Sequence, residues 1–458
     1  MTPPVQSPFP ELLSSNSAPC TDLQSATIWE AIQGARMDIG RIEIAMKQLA
    51  AKRSQLKVFV QKNSSILSAI RRLPPEILSE IFALCVCGDP FNPRRRGAWV
   101  VARVCRRWRA VAMNTAELWR HFFVPKSGFS TSYLKPVLTV QLARVRRARL
   151  SIQLPAGPAM LDLMDVLLSA AARWETVALS TETQLSRFTK YHSHYPLLGK
   201  LNFWESEHSW SRLTLPLDAD MSGSLPALTE LFWNAPAFPK KLRLPWWQLT
   251  LCVLRGVCVH DVQQRILPFL TSTARIIIVD AKRSVNPTTM LRASKIRSLA
   301  LENSSVVLTG LVAPMLKKLD VIERLAIGQD GGSITNFMNF PSAPCHLEHL
   351  RIRQSDNTSF WIGTLDSPVA RDIMRLDISF CAPSDLAVWL KALARTDIVP
   401  NLRTLAIRGN KKVEVSRSIF KNALAARNPT VRIESFHCWE WDFPEKDLEG
   451  GLDVVILK

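Results

Sequence analysis

Leu347-Glu348-His349-Leu350-Arg351-Ile352 spaces three apolar residues three and then two positions apart, with polar or charged side chains between them. Its second half alternates apolar and polar, as a half-buried β-strand does. The same order (an apolar residue, two free positions, a second apolar residue, one free position, a third) recurs along the chain. Strong copies are Leu198/Leu201/Phe203, Leu228/Leu231/Trp233, Ile296/Leu299/Leu301, Leu316/Leu319/Val321, Ile373/Leu376/Ile378 and Leu402/Leu405/Ile407, and weaker ones centre on Leu150, Val177, Leu254 and Ile276. The central positions of all these copies lie 20 to 31 residues apart.

That period resembles the roughly 20–29 residues of leucine-rich repeats. Helical stretches such as 159–174, 262–270 and 384–394 separate the copies. Strand, turn and helix at this spacing predict an α/β solenoid with parallel strands over residues 125–458. An ordinary α/β domain with several buried strands is the alternative, because the gaps are irregular and the usual asparagine ladder is largely missing. In the solenoid, the free positions of the strands face outward on the concave side. They comprise Asn202, Trp204, Glu230, Trp233, Arg297, Lys317, Asp320, Glu348, Arg351, Arg353, Arg375, Asp377, Arg403 and Arg408. Mixed charge with Trp and Arg suits protein recognition, and also suits a merely solvated face.

The chain has 458 residues, 47% of them hydrophobic, which is enough apolar material for more than one core. Its net charge of +19 points to acidic partners without naming them. The excess is spread, +8 over residues 1–124 and +11 over the rest, and no reading helix or stacking platform accompanies it. Nucleic acid is therefore not an expected partner, and a nucleic-acid-associated scaffold is kept only as an alternative. No apolar run approaches the ~18 residues of a membrane span, and the start lacks the basic-then-apolar order of a secretory signal. Nine cysteines without a framework spacing read as reduced thiols, mostly buried, in the cytosol or nucleus.

Residues 1–21, with five prolines and no periodicity, read as a disordered leader. From Asp22 to residue 66 a heptad seam appears: Ile28, Ala35, Ile42, Leu49 and Leu56 at one position, Ile32, Ile39, Met46 and Val60 at the other. Arg53 and Asn63 interrupt it, and Gly34 and Gly40 each weaken the helix by up to ~1 kcal/mol. The seam predicts either a coiled coil that forms a homodimer or one long helix folded back on its own chain.

The stretch Leu73-Pro74-Pro75-Glu76-Ile77-Leu78-Ser79-Glu80-Ile81-Phe82 follows. Pro75 suits the first turn of a helix and Glu76 its positive end. After a basic loop at 86–98, residues 99–112 predict a second helix with Val101, Val104, Cys105, Trp108 and Val111 on its apolar side, and Leu118-Trp119 closes the unit. Two separated blocks and the terminal Leu-Trp, in this order and spacing, resemble the F-box, and the heptad helix running into them is similar to the large F-box families of mushroom-forming fungi. The long basic loop departs from the pattern.

The resemblance implies a small all-α F-box over residues 67–124 that docks a Skp-family adaptor and, through it, a cullin–RING ubiquitin ligase. It implies Leu73, Pro74, Ile77, Leu78 and Ile81 as adaptor-facing residues. Phe82, Val104, Cys105, Trp108, Leu118 and Trp119 would form the F-box core or be shared with the adaptor. The repeat domain would then select an unknown protein substrate. No phosphate loop, dinucleotide fingerprint, zinc-protease or nucleophile-elbow motif occurs, so the chain is not expected to be an enzyme or to need a cofactor. Tyr191-His192-Ser193-His194 and Cys345-His346-Leu347-Glu348-His349 lack a second ligand pair at finger spacing, so no metal is expected. A coiled-coil scaffold without ligase linkage is the remaining alternative.

Overall fold

A computed structural model describes the chain apart from residues 1–5, 88–97, 124–130, 158–159, 192–193, 205–217, 237, 272–273, 283–290, 294, 323–331, 340–344, 354–357, 380–387, 390, 410–431 and 438–458. It divides into two compact units, Met1–Ile81 and Phe82–Lys458. The first holds a short helix α1 (Pro10–Ser15), within the stretch expected to be a disordered leader, and the continuous 45-residue helix α2 (Asp22–Ile66). Helix α3 (Pro75–Cys87) starts on Pro75, with Glu76 in its first turn.

The second unit is built on thirteen strands in one sheet: β1 (His121–Phe123), β2 (Leu150–Gln153), β3 (Trp174–Leu179), β4 (Lys200–Trp204), β5 (Glu230–Asn234), β6 (Leu251–Arg255), β7 (Arg275–Val279), β8 (Ser298–Glu302), β9 (Lys318–Ile322), β10 (His349–Arg353), β11 (Arg375–Ser379), β12 (Thr404–Gly409) and β13 (Arg432–His437). Each pairs in parallel with the next in chain order. Two small parallel pairs, Asp218–Asp220 with Lys241–Arg243 and Leu291–Arg292 with Leu311–Val312, lie outside it. The chain is thus α/β: a long N-terminal helix, a helical segment, then a parallel sheet.

The repeat leucines make one row. Leu299, Leu319, Leu350, Leu376 and Leu405 are register partners on successive strands, and all are buried. At two weaker copies the register differs by two residues from the expected centres. Cys252, and not Leu254, is level with Leu231 and Ile276, and Ile152, and not Leu150, is level with Val177. Period-2 alternation cannot separate i from i+2 when both are apolar. Burial pushes the Cys252 thiol up to about 12. The cysteines are less buried than expected: among the described ones Cys252 and Cys345 are buried, while Cys20, Cys85 and Cys105 are exposed.

Two backbone devices repeat with the strands. The carbonyl of the residue before a strand accepts two N–H groups from the next coil, as Arg297 O does from Lys317 and Lys318, and Lys317 O from Glu348 and His349. At the other end, the residue after β6, β7 and β8 (Gly256, Asp280, Asn303) has φ of 68°, 51° and 47°. Its N–H then reaches the last carbonyl of the following strand at 2.8 Å. Gly, Asp and Asn tolerate that left-handed backbone best.

Between strands the backbone is irregular, and buried or half-buried amide side chains satisfy it. Gln184 Nε2 donates to Pro155 O, and Gln248 Nε2 donates to Leu225 O and Leu228 O. Gln263, fully buried, donates to Val307 O and Thr309 O, both at 2.8 Å. Of the expected helices, 159–174 is α-helical only over Met160–Leu168 before a 3-10 turn, 262–270 is a π-turn and a 3-10 turn, and 384–394 lies partly outside the described residues.

Gln263→Leu keeps the volume but strips the buried Val307 carbonyl and the Thr309 carbonyl of their donor. It is expected to destabilise the second unit by about 1–3 kcal/mol, read as a lower urea midpoint. Leu350→Ala, which opens a cavity in the central row, is expected to cost about 2–5 kcal/mol in the same assay.

Candidate functional site: an uncovered helical stripe and a charged sheet face

Helix α3 is apolar on more than one side, which a helix with a single buried face does not need. Leu78 and Phe82, four residues apart, are buried at 0% and 1% exposure. Ile77, Ile81 and Leu84 form a second stripe one residue back. Ile77 is 42% exposed and Leu84 79%, Ile81 is half-buried, and Pro74, just before the helix, is exposed. Of the residues expected to face an adaptor, Pro74 and Ile77 are thus at the surface, Leu73 and Ile81 are half-buried, and Leu78 is buried.

The second helix is not continuous as expected. It breaks into α4 (Ala98–Val101) and α5 (Arg106–Asn114), with Cys105 extended between them and its Sγ accepting the Trp108 N–H at 3.4 Å. A stripe counted through from Val101 therefore loses phase. Val104 (58% exposed) and Cys105 come to the surface, while Trp108 is half-buried with its ring 4.8 Å from that of Phe82. Leu118 and Trp119 are buried. Trp119 Nε1 donates to Ala112 O at 2.8 Å, and its ring meets Trp99 edge-on at 4.9 Å. The Arg144 guanidinium, from helix α6 (Thr131–Val145), lies over both rings. Two residues past Trp119 the backbone enters β1, and Gln141 Nε2 donates to the carbonyls of Trp119 and His121.

The outward face of the sheet differs from the expectation at Trp233, which is buried with its ring 4.5 Å from Phe203, while Phe232 points outward half-buried. Around it, Leu251, Ile277 and Val279 pack with Phe232, Val253 and Ala300. Toward the C-terminus the middle row becomes Asp320, Arg351 and Asp377 on adjacent strands. Asp320 and Asp377 are buried. Asp377 accepts from Arg375 Nε at 2.9 Å and Arg351 Nε at 3.1 Å, and His349 Nε2 lies 3.1 Å away. Asp320 accepts from Arg353 at 3.1 Å. Arg275, Lys318, Arg351, Arg353 and Arg375 outnumber Asp320, Asp377 and Glu302, so the face is positive here. Burial, and then Arg351, hold the Lys318 ammonium below its usual range. His346 turns to Asp372 and the Cys345 thiol to Leu316 O, so the Cys345–His349 cluster converges on no common point. His192 and Ser193 lie outside the described residues. Among the described residues no group of three or more potential ligands could hold a metal, and no helix is long and apolar enough to cross a membrane.

Burial alone would raise the Asp377 carboxyl. The hydrogen bond and charge of His349, with Arg351 and Arg375, more than reverse that and hold it well below the usual carboxylate range. A depressed folded pKa stabilises fully above the unfolded value of 3.8 and is lost as pH falls below it. Unfolding free energy measured from pH 5 downward should therefore decline by up to ~1.4 kcal/mol per pH unit from this group. In Asp377→Asn that slope should be shallower, with about 2–3 kcal/mol already lost at pH 7 because the half-buried Arg351 and Arg375 lose the counter-charge they share.

Comparison with known proteins agrees with this geometry for one segment: residues 70–125 match the F-box-like family model. A search of curated proteins returned no match to the chain. F-box domains in general bind Skp-type adaptors, and in general they serve substrate recognition in SCF ligases. The matched segment runs from Ile70, just before α3, to two residues past the end of β1, so an F-box-like domain leads directly into the parallel sheet.

Proposed function

We propose that the chain is the substrate-recognition subunit of an SCF-type cullin–RING ubiquitin ligase. The observation that carries this reading is the second apolar stripe of α3, with Ile77 and Leu84 exposed and Ile81 half-buried, inside the segment that matches the F-box. Two stripes on one thirteen-residue helix call for two coverings, and the described residues supply one. A Skp-family adaptor supplies the other, with Pro74 and Ile77 as anchors in its groove.

On this reading the parallel sheet is a leucine-rich-repeat-like solenoid, and its outward face takes the target. The positive field around Arg351, Arg353 and Arg375, beside the apolar floor of Phe232 and Val253, suits a protein segment that combines acidic and apolar residues. The chain supplies position and no reacting group: it holds the target near a charged ubiquitin carrier and raises the effective concentration. Work of this kind belongs to the cytosol or nucleus, where thiols stay reduced.

The test is co-purification of the full chain with a Skp-family adaptor. Pro74→Ala with Ile77→Ala, both surface positions, should lower adaptor recovery at least tenfold while far-UV circular dichroism and the urea midpoint stay unchanged. Arg351→Ala should leave adaptor recovery intact. Full recovery of adaptor by the folded double variant would overturn the assignment.

A further inference from the structure

Helix α2 spans 45 residues, about 68 Å at 1.5 Å per residue, and most of its seam is left exposed by the described residues. Ile39, Ile42, Met46, Leu49, Leu56 and Val60 are each 53–70% exposed. A helix this long with an exposed apolar stripe is stabilised by a partner surface and not by propensity alone. Its charge is divided along its length. Residues 22–44 hold four acids and two bases, and residues 45–66 hold five bases and no acid.

We propose that α2 pairs with α2 of a second copy of this chain in antiparallel orientation, with the two-fold axis beside Ile44. In that register Ile28 meets Val60 of the second copy, Ile32 meets Leu56, Ile39 meets Leu49 and Ile42 meets Met46, and Asn63 at the end of the seam falls opposite Ser25. The one charged seam residue, Arg53, faces the one small seam residue, Ala35, where there is room for its stem to reach solvent. On the flank, Asp38 faces Lys52 of the second copy, twice per dimer. Within one chain Asp38 is exposed and already pairs with Arg41 at 3.1 Å, so its carboxylate is held on the surface where the second copy would approach. On the other flank Lys57 comes over Trp29, whose ring is exposed. One like-charge contact remains, Glu43 with its own counterpart at the axis, and Lys47 one turn along the same helix offsets it.

The parallel arrangement inverts each of these. Arg53 would face Arg53 in the seam and Ala35 would face Ala35, giving a like-charge layer and a void. The flanking pairs would be Asp38 with Glu43 and Lys52 with Lys57, repulsive on both sides of the dimer. The acidic half of the helix would lie on the acidic half, and the basic on the basic.

Light scattering of the full chain over a concentration series tests this. The expected species has twice the 51.5 kDa chain mass. Asp38→Lys and Lys52→Asp should each raise the dimer dissociation constant by roughly tenfold, and the double variant should restore it to within about twofold of the unaltered chain. A parallel pair predicts the opposite sign. It sets position 38 beside Glu43 and position 52 beside Lys57, so that either charge reversal tightens the dimer. A single-chain mass at every concentration, tightening by either single variant, or failure of the double variant to recover would each overturn the proposal. Helical content by circular dichroism, unchanged among the four proteins, excludes unfolding as the cause of a weaker dimer.

Discussion

The second unit depends on one constraint: each strand can bond only to the coil before it and the coil after it, and must do so in register. A slip of one residue would turn a leucine of the buried row outward and carry Asp320, Arg351 or Asp377 into the core. That exchange costs far more than the backbone bonds it preserves, since an unpaired buried charge is among the most expensive groups a protein can contain. The charged middle row therefore specifies alignment as much as it decorates a surface. The bifurcated carbonyl before β4, β5, β8, β9, β10 and β11 and the left-handed residue after β6, β7 and β8 fix the two ends of the same alignment.

Such a stack has two ends, and the helical segment serves the first. β1, His121–Phe123, follows Trp119 after a single residue, and Gln141 bonds to the carbonyls on either side of Arg120. The indole of Trp119 is thus held by Ala112 O, Trp99 and Arg144 at the place where helical segment becomes sheet.

Much of this was legible in the residues. The 45-residue helix, the short helix opening on Pro75 and the repeated Leu-x-x-Leu-x-apolar strands all follow from periodicity and capping. What periodicity could not fix was phase. Leu254 and Cys252 are equally apolar, so only pairing separates them. Trp233 looks like an interface residue until alternation from Leu231 is followed strictly, which sends it inward and Phe232 outward. The break at Cys105 carried one local signal, a thiol able to cap a helix, and an unbroken apolar run hid it. The asparagine ladder sought in the repeats was absent as such, yet Gly256, Asp280 and Asn303 occupy one shared turn position. The glutamine bridges bear no sequence signature, because neither the Gln263-Gln264 pair nor Gln184 after Thr183 differs from a solvated polar stretch.

The proposed function rests on two apolar stripes sharing helix α3, of which the described residues cover only one. Hydrogen–deuterium exchange of the full chain, with and without a purified Skp-family adaptor, reads the uncovered stripe directly. Docking through that stripe predicts slowed exchange concentrated in residues 73–85, with the strands β4 to β11 unchanged. Unaltered exchange over 73–85 in the presence of saturating adaptor would contradict it.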